Sequence, residues 1–139
     1  MRENQFEFET EATVDNLPLV LQFVDGQLEK AGCPVKAQMQ IDLAVEEIFV
    51  NIASYAYAPQ TGSAKVCIEV MDSPLKVTVT FVDHGIPYDP LAKADPDVTL
   101  SAQNRQIGGL GIFMAKKTMD EVSYEYSNGQ NILTLKKNL

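Results

Sequence analysis

Apolar and polar residues alternate with period two at the start of the chain, where Phe6, Phe8 and Thr10 are interleaved with Glu7, Glu9 and Glu11. That pattern predicts a short strand with one wet face. The period then lengthens. Leu17, Val20, Leu21, Val24 and Leu28 recur at helical spacing, Asp15 or Asn16 offers a cap, Pro18 suits a first turn, and Gly32 and Pro34 end the run. A first helix is expected over residues 16–31. Residues 35–57 hold no Gly or Pro and place Ile41, Ala44, Val45, Ile48 and Ile52 on one stripe, so a longer helix follows until Pro59 and Gly62 stop it. Val66, Ile68 and Val70 alternate with Lys65, Cys67 and Glu69; after Asp72-Ser73-Pro74, Val77, Val79 and Phe81 alternate with Thr78 and Thr80. These are two strands joined by a tight turn. Residues 83–107 carry three Pro and no sustained period, too long for an ordinary connection, and read as a lid or binding loop. Gly108-Gly109-Leu110-Gly111 opens a helical stretch through Met119. Val122, Tyr124 and Tyr126, the turn Ser127-Asn128-Gly129, then Ile132, Leu133 and Leu135 form a closing hairpin.

The resulting order is strand, helix, helix, strand, strand, lid, helix, strand, strand. It predicts an α/β (α+β) fold, a two-layer sandwich whose mixed, mostly antiparallel sheet carries helices on one face. With 139 residues, 45% of them hydrophobic, the chain has the size of one domain with one core, and residues 1–139 are read as that domain. The formal net charge of -8 repels phosphate backbones and anionic lipid, so neither nucleic acid nor membrane is expected as a partner. No apolar run approaches the ~20 residues of a membrane span and no apolar core follows a basic start, so a cytoplasmic protein is expected. Cys33 and Cys67 have no neighbouring ligand at metal-binding spacing, and His84 is the single histidine. A zinc site and a disulfide framework are set aside.

Three constellations carry candidate chemistry. Glu47 and Asn51 lie four residues apart on the long helix, and at ~100° per residue their side chains stack on one face. They sit at the border of the apolar stripe, Glu47 half-buried, with Glu46 and Asp42 further round on the solvent side. A carboxylate there can serve as a general base, and an amide oxygen beside it is a hard ligand suited to Mg²⁺. The same spacing also fits a polar helix edge with Asn51 bonded to backbone. Asp83-His84-Gly85 follows directly on a strand, where the carboxylate can accept from an exocyclic amine and the glycine lets backbone approach a planar base; an ordinary turn reads the same way. Gly108-Gly109-Leu110-Gly111 leads from the lid into a helix, forming either an anion site at the helix N-terminus or a hinge with a cap.

The run from Asp42 through Glu47 to Asn51, then Asp83-His84-Gly85-Ile86-Pro87-Tyr88-Asp89-Pro90, then Gly108-Gly109-Leu110-Gly111-Ile112 through Met119-Asp120-Glu121-Val122-Ser123-Tyr124, resembles the anti-sigma factor serine/threonine kinases. These belong to the ATP-binding superfamily of gyrase, a heat-shock chaperone, sensor histidine kinases and MutL. The resemblance implies a Bergerat ATP-binding fold that takes ATP and Mg²⁺ between the long helix and the lid. It implies Glu47 as catalytic base toward a serine or threonine hydroxyl, and Asn51 as Mg²⁺ ligand. Asp83 is implied on the adenine amino group with Gly85 below the base, and the box Gly108, Gly109, Leu110 and Gly111 around the phosphates. Arg105, just before the box, is the best lid cation for a γ-phosphate because its fork matches phosphate oxygens; a solvated loop arginine fits the same position. The implied partners are an anti-sigma-factor antagonist protein as substrate and a sigma factor, with a possible homodimer; the alternative is a nucleotide-regulated module that sequesters a partner without phosphorylating it.

Three positions depart from the family pattern. Pro87 stands at its second glycine, and Tyr55 where many relatives have histidine. Gly129-Gln130-Asn131 replaces a Gly-Thr whose threonine lies near adenine, which leaves Asn131 or Thr134 as substitutes. His84 is expected at the rim, and Tyr124 and Tyr126 in sheet packing or a dimer interface.

Overall fold

The computed structural model describes residues 5–72, 75–92 and 109–139. Its elements are β1 (Gln5–Glu11), α1 (Leu17–Lys30), α2 (Val35–Asn51), β2 (Ser63–Met71), β3 (Lys76–Asp83), α3 (Gly109–Thr118), β4 (Glu121–Ser127) and β5 (Gln130–Asn138). Each expected strand and helix is present, with ends moved by a few residues.

Local chemistry explains the ends. Gly32 adopts a positive φ of 74°, and the Gly32 N–H donates to Glu29 O at 3.1 Å while the Cys33 N–H donates to Leu28 O at 3.0 Å. This paired closure satisfies carbonyls that the last turn of α1 leaves open. Residues 35–57 split into α2 and a wider π-helical turn, Ile52–Ala56. The widened turn brings the Ala56 carbonyl to the Ile86 N–H, 2.9 Å away, so the end of the long helix is fastened to the loop after β3.

The sheet order is β1-β2-β3-β5-β4. Every pairing is antiparallel among the described residues, which corrects the expected mixed sheet. The reason is the placement of β5. Strands β3 and β4 are each antiparallel to β5, so they run the same way and would pair in parallel as neighbours; β5 returns from the Asn128-Gly129 turn and inserts between them. The helices cover one face. Val20, Val24 and Leu28 of α1, Ile41, Val45 and Ile48 of α2 and Ile112 and Ala115 of α3 bury against Val66, Ile68, Val79, Phe81, Leu133 and Leu135. Full burial of each large apolar side chain is worth about 1.5–3 kcal/mol, which holds the layers together. The other face is polar at its margins, where Lys65 pairs with Glu7 at 3.5 Å and Lys136 with Glu121 at 3.4 Å.

Asp42 departs from its expected place beside Glu46 in solvent. It is half-buried between α1 and α2 next to Asp25, and the Oδ1 atoms of both carboxyls are buried without a hydrogen-bond partner. Burial first, then the hydrogen bond and charge of Asp25 and the charge of Glu29, push Asp42 up to about 8. Among the described residues no helix is long and apolar enough to cross a membrane.

Candidate functional site

Asp83 ends β3 facing inward and is 4% exposed. Its Oδ1 accepts from the Gly85 N–H at 2.8 Å and from Asn131 Nδ2 at 2.9 Å. Oδ1 is therefore saturated, and Oδ2 is the acceptor left for a ligand in the pocket that Asp83 lines.

Asn131, 6% exposed, organises this end of the sheet. Besides Asp83, its Nδ2 donates to Ile86 O at 2.8 Å, and its Oδ1 accepts from the Tyr88 N–H at 3.2 Å and from the Tyr124 hydroxyl. Acceptors on one side, with Gly85 O a third at 3.4 Å, and two donors on the other fix which way the amide points. Burial raises the Tyr124 phenol above its ordinary value, so it stays protonated and donating. Of the two expected substitutes for the missing threonine, Asn131 lines the pocket together with Asp83. Thr134 lies on the opposite face, because β5 alternates and Leu133 and Leu135 share the inward face with Asn131. Spacing alone places Tyr124 in sheet packing or a dimer interface, whereas its hydroxyl joins this network. A polar residue on an inward strand position was the available signal for Asn131, and nothing local marked Tyr124.

The loop from His84 to Ile86 is pinned from beneath. Tyr57 Oη accepts from the His84 N–H at 2.8 Å and donates to Ser63 O at 2.6 Å, while the His84 side chain stays at the exposed rim. At Gly85 a Cβ would lie 2.2 Å from the Ala56 carbonyl oxygen, so only glycine permits this approach. Tyr88 reaches back to Tyr55, with ring centroids 5.4 Å apart, so the position expected to hold histidine instead carries half of an aromatic pair. The pocket floor is apolar, formed by Ile48, Ile52, Phe81 and Leu133.

Asn51 lines this pocket and Glu47 does not. Asn51 Nδ2 donates to the Glu47 carbonyl at 2.8 Å and to Glu47 Oε2 at 2.7 Å. Both amide hydrogens are spent on Glu47, which turns Asn51 Oδ1 away from it. The backbone bond foreseen for a mere polar edge is thus present together with the carboxylate contact. Glu47 lines a second depression, between α2 and α3, with Leu43, Gly111 and Met114. Gly111 presses on it so closely that a Cβ there would fall 1.8 Å from Oε1. The pair therefore joins two cavities, its amide toward Asp83 and its carboxylate toward α3.

Gly109 and Leu110 form the start of α3. Helix starts leave backbone N–H groups without intrahelical partners, a fit for anions. Arg105 and Gly108 lie outside the described residues. A single hard amide oxygen at Asn51, with no group of three His, Cys, Asp or Glu among the described residues able to hold a metal, suits a Mg²⁺ carried largely by phosphate and water rather than a protein cage.

Comparison with known proteins identifies the family to which this fold belongs. Residues 10–137 match the family model of the histidine kinase-like ATPase domain. The serine/threonine-protein kinase BtrW of Bordetella bronchiseptica is 28% identical over 100 residues, covering 72% of this chain and 70% of that protein. The serine-protein kinase RsbW of Listeria monocytogenes is 26% identical over 117 residues, covering 81% and 74%. Among solved structures, that of the RsbU and RsbW domains of Rv1364c from Mycobacterium tuberculosis superposes with a TM-score of 0.70 at 17% identity; it covers 97% of this chain, which spans 32% of that longer one. That likeness bears on the fold. Because the family match runs from the end of β1 to the end of β5 and takes in both halves of the site, the chain belongs to the histidine kinase-like ATPase family.

Proposed function

We propose that the protein is an ATP-dependent serine/threonine kinase of the anti-sigma type, whose substrate is an anti-sigma-factor antagonist protein and whose second partner is a sigma factor. One observation carries this reading: Asn51 faces the pocket of Asp83 while its bonded neighbour Glu47 faces the groove beside α3. A nucleotide and an acceptor hydroxyl can thus reach the pair from different sides. The kinase names of BtrW and RsbW support the same activity.

In this reading Asp83 Oδ2 accepts from the adenine amino group, and Gly85 leaves room for the ring. Amides of the box Gly108, Gly109, Leu110 and Gly111 would hold the phosphates, with Arg105 as the lid cation. Asn51 Oδ1 would hold Mg²⁺, which when bound draws charge from the phosphate oxygens. The acceptor oxygen forms a bond to the γ-phosphorus as the bond to the bridging oxygen of ADP breaks, and Glu47 takes the hydroxyl proton. All described helices and strands share one core, which supports reading the chain as one domain.

A second reading follows from the packing of Gly111 on Glu47: with the carboxylate covered by α3, the protein would bind its partner under nucleotide control without phosphorylating it. Incubation with γ-phosphate-labelled ATP, Mg²⁺ and a purified antagonist domain separates the two. The kinase transfers label, and Glu47→Gln lowers the rate about 10²–10⁴-fold while ATP affinity stays near wild type. Transfer at the wild-type rate by that variant removes Glu47 as the base; stable binding without any label establishes the module.

A further inference from the structure

Val35, Met39 and Leu43 are exposed by 74%, 61% and 63%. Single exposed apolar residues are ordinary on a protein surface. These three are not scattered, because they recur every fourth residue along α2, and the next two members of the series are Glu47 and Asn51. At 1.5 Å per residue, Leu43 lies about 6 Å and Met39 about 12 Å along the helix from Glu47. Across the groove Met114 of α3 is 47% exposed, and Leu43, Glu47, Gly111 and Met114 line one depression. An apolar track therefore winds along α2, turning ~40° at each step, and ends through Leu43 on the carboxylate.

We propose that this track is the docking surface of the acceptor protein. The partner lays an apolar helical stripe along Val35, Met39 and Leu43, against Met114, and so delivers its serine or threonine hydroxyl to Glu47. The inference rests on the kinase reading for what the hydroxyl does there, and on the surface alone for where the partner sits. Two neighbouring helices present a groove of the kind that receives a third, read by anchors one turn apart. The flexible thioethers of Met39 and Met114 let the groove adapt to its occupant. Continuity with Glu47 selects the occupant. A second copy of this chain packed along the same track would close the mouth in front of the carboxylate, whereas an acceptor segment uses it. Glu46 is exposed one residue from Glu47, in the wall of the same depression, and the whole chain carries a net charge of -8. The acceptor segment should therefore carry lysine or arginine beside its hydroxyl rather than acidic residues.

The test uses the full chain with ATP and Mg²⁺ and a purified antagonist domain. Calorimetry in a Glu47→Gln background measures partner affinity without turnover, with and without the added pair Met39→Glu and Leu43→Glu. Both sites are exposed, so thermal stability and ATP affinity should be retained, while partner affinity falls at least about tenfold, or ~1.4 kcal/mol. Hydrogen exchange should show protection by the partner centred on α2 and the facing turn of α3. Partner affinity within about twofold of the parent, or protection confined elsewhere, overturns the docking surface whether or not label is transferred. A self-association seen by sedimentation that the two glutamates abolish also overturns it, in favour of a second copy. If the wild type moves no label to a partner that still shields this track, the kinase reading falls and the docking surface stands.

Discussion

Replacing Asn131 by Ala should damage both stability and nucleotide recognition, because five hydrogen bonds, the longest to Gly85 O at 3.4 Å, converge on one amide. The bond from Nδ2 to the Asp83 carboxylate is of the charged kind, worth about 1.5–3 kcal/mol, and each neutral bond about 1 kcal/mol. Truncation also removes the acceptor of the Tyr124 hydroxyl, whereas the Tyr88 N–H keeps the Tyr124 oxygen as a partner at 3.2 Å, and water entering from the pocket side can serve some of the freed groups. A net loss of about 2–4 kcal/mol follows, which for a chain of this size lowers Tm by roughly 6–15 °C. The Asp83 carboxylate, still held by the Gly85 N–H, becomes free to turn, so ATP affinity should fall about tenfold or more, with a smaller loss for a nucleotide lacking an amino group at that edge. Asn131→Thr restores one donor and one acceptor and should recover part of both effects. Thermal melts and calorimetry with ATP and with a purine analogue lacking the amine are the assays. A melt within about 2 °C of wild type together with unchanged ATP affinity would refute the assignment, since it would mean these bonds contribute nothing net.

Gly85→Ala sets a Cβ against backbone, 2.2 Å from the Ala56 oxygen, so the loop must lift by about 1 Å; stability and ATP binding should both drop, and a normal melt would count against the close approach. Gly111→Ala instead meets the mobile end of Glu47 at 1.8 Å. The carboxylate should swing away and lose its bond to Asn51, leaving Tm nearly unchanged but lowering phosphoryl transfer by an order of magnitude or more, which single-turnover rates would read. Asp42→Asn tests the buried carboxyl pair. Because the folded pKa is raised to about 8, the folded state keeps a proton that the unfolded chain gives up at its ordinary carboxyl value. That stabilisation is complete below the ordinary value and is lost as pH rises through about 8, so the melting advantage of the amide should grow across that interval; parallel Tm profiles for both proteins would exclude the pair.

Much of this architecture was legible in residue order. Amphipathic periods placed α1, α2 and every strand within a few residues, because each period reports which side of one element meets the core. Asn128-Gly129 specified the last hairpin through positive φ angles of 54° and 76°. Glu47 and Asn51 were visible as a pair since four residues along a helix is a local distance. The strand neighbours were not visible, because inserting β5 between β3 and β4 depends on pairing between residues such as Asp83 and Asn131 far apart in the chain. The same pairing brings the Asn131 amide onto the Asp83 carboxylate and sets Tyr124 and Tyr88 around it. Asp42 lies away from its expected solvent position for a related reason: its place on α2 gives an angle about that helix, but only the packing of α1 puts Asp25 there to bury it. The sequence by itself determined the elements and the chemical groups they carry, through periodic burial and turn stereochemistry. The tertiary structure alone decided which groups share a cavity, because hydrogen bonds and desolvation act between surfaces that meet only once the sheet has closed.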